Sequence, residues 1–126
     1  MDKQRLAWIF ELFPAVEKFW RHPAGKLSGG QKQMLAVARI LRTGARLLLL
    51  DEISEGLAPV IVQALARMIT MLKAKGFTII MVEQNFRFAA PLADRFYVME
   101  HGRMVETFNR DQLKDRMAML HEFLGV

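Results

Sequence analysis

The sequence contains no cysteine, so no disulfide can staple it, and this agrees with a cytosolic location. Long apolar runs are absent too. The four leucines Leu47 to Leu50 are bracketed by Arg46 and Asp51, and no stretch approaches the roughly 20 apolar residues that a membrane-spanning helix needs. The first residues, Met1-Asp2-Lys3-Gln4-Arg5, carry charge of both signs and lead into an amphipathic run without a small-residue cleavage site, unlike a secretory signal. The net charge is +5, yet no block of five like charges occurs and the basic residues are not interleaved with aromatics. That argues against a groove for nucleic acid and leaves a solvated basic surface. Internal repeats and low-complexity linkers are missing as well, so the chain reads as one domain or part of one.

What remains is 126 residues, 52% of them hydrophobic, enough for the core of a globular domain. Leu6, Ile9, Phe10 and Phe13 recur at helical spacing, and Pro14 is expected to end that helix. Val16, Phe19 and Trp20 form a second apolar cluster before the breaker-rich segment His22 to Lys26. Ser28 is placed to cap a helix, about 28–43, that carries Met34, Leu35, Val37, Ala38 and Leu41 toward a core. Arg46 to Leu50, without polar alternation, predicts a parallel strand covered on both faces. Pro59 predicts the start of a helix running to Lys75 and closed by Gly76. A second buried strand is expected over 77–82 and a short helix over 85–92. A hairpin follows, pairing 95–100 with 103–107 across His101-Gly102, and a last helix capped by Asn109 or Asp111 runs to about Phe123. This order predicts an α/β fold with parallel central strands, crossover helices and a C-terminal β-hairpin plus helix.

Three local patterns carry chemistry. Leu27-Ser28-Gly29-Gly30-Gln31 opens a helix, where adjacent glycines admit a ligand to the backbone and unpaired N–H groups favour a phosphate. Taken alone it reads more readily as a serine-capped helix after a flexible turn. Asp51-Glu52 ends a strand, the edge at which ligands of α/β folds bind, so Asp51 could hold Mg²⁺ and Glu52 could orient an attacking water. Alone, such a pair is also a common solvated loop start. Val82-Glu83-Gln84-Asn85 ends the next strand and would bring a polar side chain to the same edge, although Gln84 and Asn85 also fit a simple turn.

Together these residues resemble the ABC ATPase family. Leu27 to Gln31 is similar to its signature pentapeptide, Leu47 to Glu52 to its Walker B strand, and Ser54-Glu55-Gly56-Leu57-Ala58-Pro59 to its D-loop (54–59). The D-loop, the Val-Glu-Gln-Asn segment and 93–102 most resemble subunits that drive import of branched-chain and other hydrophobic amino acids. The resemblance implies a partial P-loop NTPase domain, ATP and Mg²⁺ as ligands, and a location on the cytoplasmic face of the membrane, peripheral to it. A second ABC ATPase subunit, identical or related, and transmembrane permease subunits are the implied partners, with no nucleic acid. It further implies that Ser28, Gly29, Gly30 and Gln31 face the nucleotide of the opposite subunit. Asp51 and Glu52 would serve the chain's own nucleotide, Gln84 would stand at the γ-phosphate sensor, and Ser54, Glu55, Gly56 and Leu57 would line the dimer seam.

Two departures from the family stand out. No Gly-x-x-x-x-Gly-Lys-Ser/Thr loop occurs within these residues; its N–H groups and lysine cradle the β- and γ-phosphates. The chain is therefore expected to be the C-terminal half of the domain, inactive alone, with apolar strand edges and helix faces left uncovered. Ile53 stands where the family has proline. Two other readings are carried forward: a non-catalytic remnant or interaction module, and an ABC-type ATPase that acts on nucleic acid.

Overall fold

The computed structural model describes residues 3–124. The chain divides into two units, 1–83 and 84–126. In the first, α1 (Lys3–Leu12) buries Ile9 and Leu12. Pro14 does not merely end it: Pro14 is the first residue of a second helix, α2 (Pro14–Phe19), entered through Phe13 at φ −129°. A proline at that position loses nothing, because its missing N–H would have no intrahelical partner. Phe13, Val16 and Phe19 are buried, and Phe10 meets Trp20 edge to face at 5.1 Å.

The signature segment forms α3 (Gly29–Arg42), which buries Val37, Ala38 and Leu41. Strand β1 (Leu47–Asp51) follows, then α4 (Pro59–Ala74), which buries Leu65, Met68, Ile69 and Leu72, and then β2 (Thr78–Val82). The strands are parallel, with Leu47 opposite Thr78 and Asp51 opposite Val82, so α4 is the crossover that a parallel pair requires.

The expectation of strands buried on both faces is corrected here. Successive strand side chains point to opposite sides, and the helices of this unit cover only one of them. Leu48 and Leu50 are buried, whereas Leu47, Leu49, Ile80 and Val82 remain 53%, 68%, 55% and 58% exposed. A run of leucines reports that both faces are apolar; it does not report what covers each.

Part of the basic excess serves helix ends. Arg5 Nη1 donates to the carbonyl of Arg42 at the end of α3 (3.0 Å), and Arg46 Nη2 to that of Lys75 just past α4 (3.2 Å). Cations are favoured there by the helix dipole. Arg46 also lies 4.7 Å from the centre of the Phe77 ring, which stacks on Trp8.

In the second unit the Asn85 side chain accepts from the Phe88 N–H and caps α5 (Phe86–Ala89), shorter than the expected 85–92. Strands β3 (Arg95–Glu100) and β4 (Arg103–Asn109) form the antiparallel hairpin. His101 and Gly102 both take positive φ, 49° and 76°, as a two-residue turn matched to strand twist demands. Val98, Phe108 and Leu120 make this unit's core, and Phe96 stacks on Phe108 at 5.0 Å. Asn109 does act as a cap, but of a 3₁₀ turn over 110–112; a second such turn precedes α6 (Met117–Leu124). The expected single last helix is thus two turns and a shorter helix. No helix among the described residues is long and apolar enough to cross a membrane.

Candidate functional site

The start of α3 is organised by a reciprocal cap. Ser28 Oγ accepts the Gln31 N–H at 3.2 Å, and Gln31 Oε1 accepts the Ser28 N–H at 3.0 Å. Because Ser28 Oγ serves as an acceptor, its own hydrogen stays available to a ligand, and the Gly29 and Gly30 amides lie outside the intrahelical ladder. Ser28 and Gly29 are exposed, while Gly30 is buried. Gln31 contributes by holding the turn through its side chain.

The two glycines answer to different demands. A Cβ on Gly29 would meet only Leu57 Cδ2, at 3.4 Å, whereas one on Gly30 would lie 2.5 Å from Ile61 Cγ2 and 3.3 Å from Ile61 Cβ. Gly30 is thus required by the close approach of α3 to the first turn of α4, a role that sequence reasoning gave wholly to the ligand. Ile61 is β-branched and stiff, so it cannot swing aside. Gly30→Ala is expected to cost about 1–3 kcal/mol of stability by overpacking, read as a lower urea midpoint with unchanged slope.

Asp51 is the last residue of β1 and is exposed. Glu52 extends the ladder by one bond, its N–H donating to the Val82 carbonyl at 2.8 Å, and then turns the chain with φ 52°. Ile53 and Ser54 are buried, 5% and 4% exposed. Glu55 and Gly56 return to solvent, and Gly56 takes φ 72°, a left-handed conformation that glycine adopts without strain. The start of α3 and the segment 54–59 are brought together at Gly29 and Leu57. Gln84 is exposed and opens the second unit.

Sequence reasoning passed over Glu83 as a site residue. Its Oε1 accepts the Ser54 N–H at 3.2 Å and its Oε2 accepts the Ser54 hydroxyl at 2.9 Å. Burial pushes its pKa above the ordinary 4.5; hydrogen bonds from Ser54 and the Ile53 backbone oppose that, and repulsion from Glu52 adds to it. The available signal was an acid one residue beyond a strand, beside a second acid beyond the neighbouring strand.

Comparison with known proteins follows the same segments. A family model described as ABC transporter matches residues 2–55. The high-affinity branched-chain amino acid transport ATP-binding protein BraG of Pseudomonas aeruginosa is 48% identical over 105 residues, 83% of this chain and 43% of that protein. Over these segments the chain resembles the ATP-binding proteins of ABC transporters. The probable branched-chain amino acid transport ATP-binding protein LivF of Archaeoglobus fulgidus is 36% identical over 98% of this chain and 53% of its own length. This chain therefore spans about half the length of these ABC relatives. The fold agrees: the ADP conformation of MJ1267, an ATP-binding cassette of an ABC transporter, superposes with a TM-score of 0.80 at 23% identity, covering 98% of this chain and 50% of that one.

Proposed function

We propose that the chain is the signature-bearing part of an ATP-binding and hydrolysing subunit of an ABC importer for branched-chain amino acids. The observation that carries this reading is the acidic pair Asp51-Glu52 at the carboxyl end of a parallel strand, in a chain 48% identical to BraG. The subunit would lie at the cytoplasmic face of the membrane and pair with a second ATPase subunit and with permease subunits.

The residues present fit Mg²⁺ held with substrate. No cluster of three or more His, Cys, Asp or Glu that could hold a metal occurs among the described residues. Mg²⁺ needs none, since it commonly uses one or two carboxylates, waters and phosphate oxygens. Asp51 would hold it, through a water. When bound, the ion neutralises phosphate charge. Glu52 would orient and deprotonate the water that attacks the γ-phosphate. Ser28 Oγ–H and the Gly29 and Gly30 amides would donate to the γ-phosphate of the nucleotide on the paired subunit, with Gln31 keeping them in place. Ser54 to Leu57 would run along the seam, and Gln84, by the family resemblance, would act as a neutral amide donor.

The chain alone is proposed to turn over no ATP. Positioning and electrostatic stabilisation carry phosphoryl transfer, and no phosphate-cradling loop occurs within these residues. Mg-ATP hydrolysis by the purified chain should equal that of Glu52→Gln at every protein concentration. Turnover that disappears in Glu52→Gln would overturn the inactivity and keep the ATPase reading, with the phosphate loop supplied by other residues.

A further inference from the structure

We propose that Glu83 is a positioning residue for Glu52, holding through Ser54 the turn that aims the Glu52 carboxylate. The proposal deepens the reading of Glu52 as the group that orients water, and rests on it.

Glu52 is not a glycine, yet it takes φ 52°, a conformation that costs an L-residue about 1–2 kcal/mol. Such a residue persists only where its surroundings hold it. On the upstream side Asp51 sits in the β1 ladder and the Glu52 N–H is bound by the Val82 carbonyl. On the downstream side the next residue of β2's exit, Glu83, takes both the N–H and the hydroxyl of Ser54. Consecutive residues of one strand exit thus grip both flanks of the strained position.

Two further features separate this clamp from ordinary packing. Ser54 is the only polar residue counted as buried among the described residues, and both of its donors go to Glu83. The Ile53 backbone N–H also favours the ionised Glu83 carboxylate. Burial and the Glu52 charge raise the Glu83 pKa against the bonds that Ser54 and Ile53 supply. The sign follows: Glu83 favours the folded state most below its ordinary value of 4.5, and this contribution is lost as pH rises through the higher folded value. Raising the pH therefore tightens the clamp while it lowers stability, because the charged carboxylate accepts where the protonated one has an oxygen turned donor.

The test uses NMR of the whole chain carrying Glu52→Gln, which removes that residue's own titration, with Leu49→Thr and Ile80→Thr on the open sheet face to keep it monomeric. The Ser54 amide resonance, and with it that of residue 52, should move with a midpoint above 4.5, and Glu83→Gln should abolish the movement. Amide exchange at 52–54 should quicken about tenfold in Glu83→Gln, with Leu50 and Met81 unaffected. A pH-independent Ser54 amide overturns the proposal, as does exchange that quickens equally along β1 and β2, since that marks a general packing role. Should Glu83→Gln fail to fold, Ser54→Ala decides: it removes one bond that lowers the Glu83 pKa, so the carboxyl midpoint must rise, and an unchanged midpoint sinks the clamp. None of these readouts involves nucleotide. Failure of the clamp is therefore distinct from failure of the ATPase reading, which hydrolysis judges.

Discussion

Gly29→Asp is expected to abolish the proposed ATP-dependent pairing of this chain with a complete related cassette and to leave its folding unchanged. Gly29 is exposed, has no positive φ, and an added Cβ would make only ordinary contact with Leu57. An acid in the first turn of α3 also suits the helix dipole, by about 0.3–1 kcal/mol. In the proposed arrangement that carboxylate would face the γ-phosphate of the partner's nucleotide. Like charges about 4 Å apart at a protein surface repel by roughly 4 kcal/mol, which is about a thousandfold in affinity. Sedimentation of the mixed proteins with and without Mg-ATP, in chains kept from self-association by Leu49→Thr with Ile80→Thr, beside thermal melts, measures both halves of the expectation. Pairing that survives in Gly29→Asp would place Ser28 to Gln31 away from the phosphate. A wild-type chain that never pairs would sink the proposed seam altogether.

The second large effect concerns association of the chain with itself. Leu47, Leu49, Ile80 and Val82 present one apolar sheet face to solvent, and covering each would be worth about 1–2 kcal/mol at the exposures observed. Contiguous faces of this kind drive association. Leu49 and Ile80 are register partners, so Leu49→Lys with Ile80→Glu places opposite charges side by side on the open face and leaves Leu48 and Leu50 in the core. The wild-type chain is expected to sediment as large species at micromolar concentration, and the double variant as a monomer with the same far-UV circular dichroism. A monomeric wild-type chain across that range would mean that the face is covered in solution.

The sequence by itself carried the local chemistry. Ser28 as cap, Pro59 at the start of α4, and the His101-Gly102 turn are legible because each depends on neighbours a few residues away: a hydroxyl within reach of the third amide, a ring without an N–H, a pair of residues at positive φ. The order of signature, acidic pair and D-loop carried the family resemblance in the same way. Pro14 misled because proline both ends and begins helices, and local pattern alone does not say which. What only the tertiary structure decided involves residues far apart in the chain. That Gly30 yields to Ile61, that one face of β1 and β2 is open, and that Glu83 holds Ser54 across 29 positions are contacts between segments whose separation in sequence has no period to read. Hydrophobic runs report the demand for cover, and capping residues report their own turn; which surfaces meet is set by packing in three dimensions.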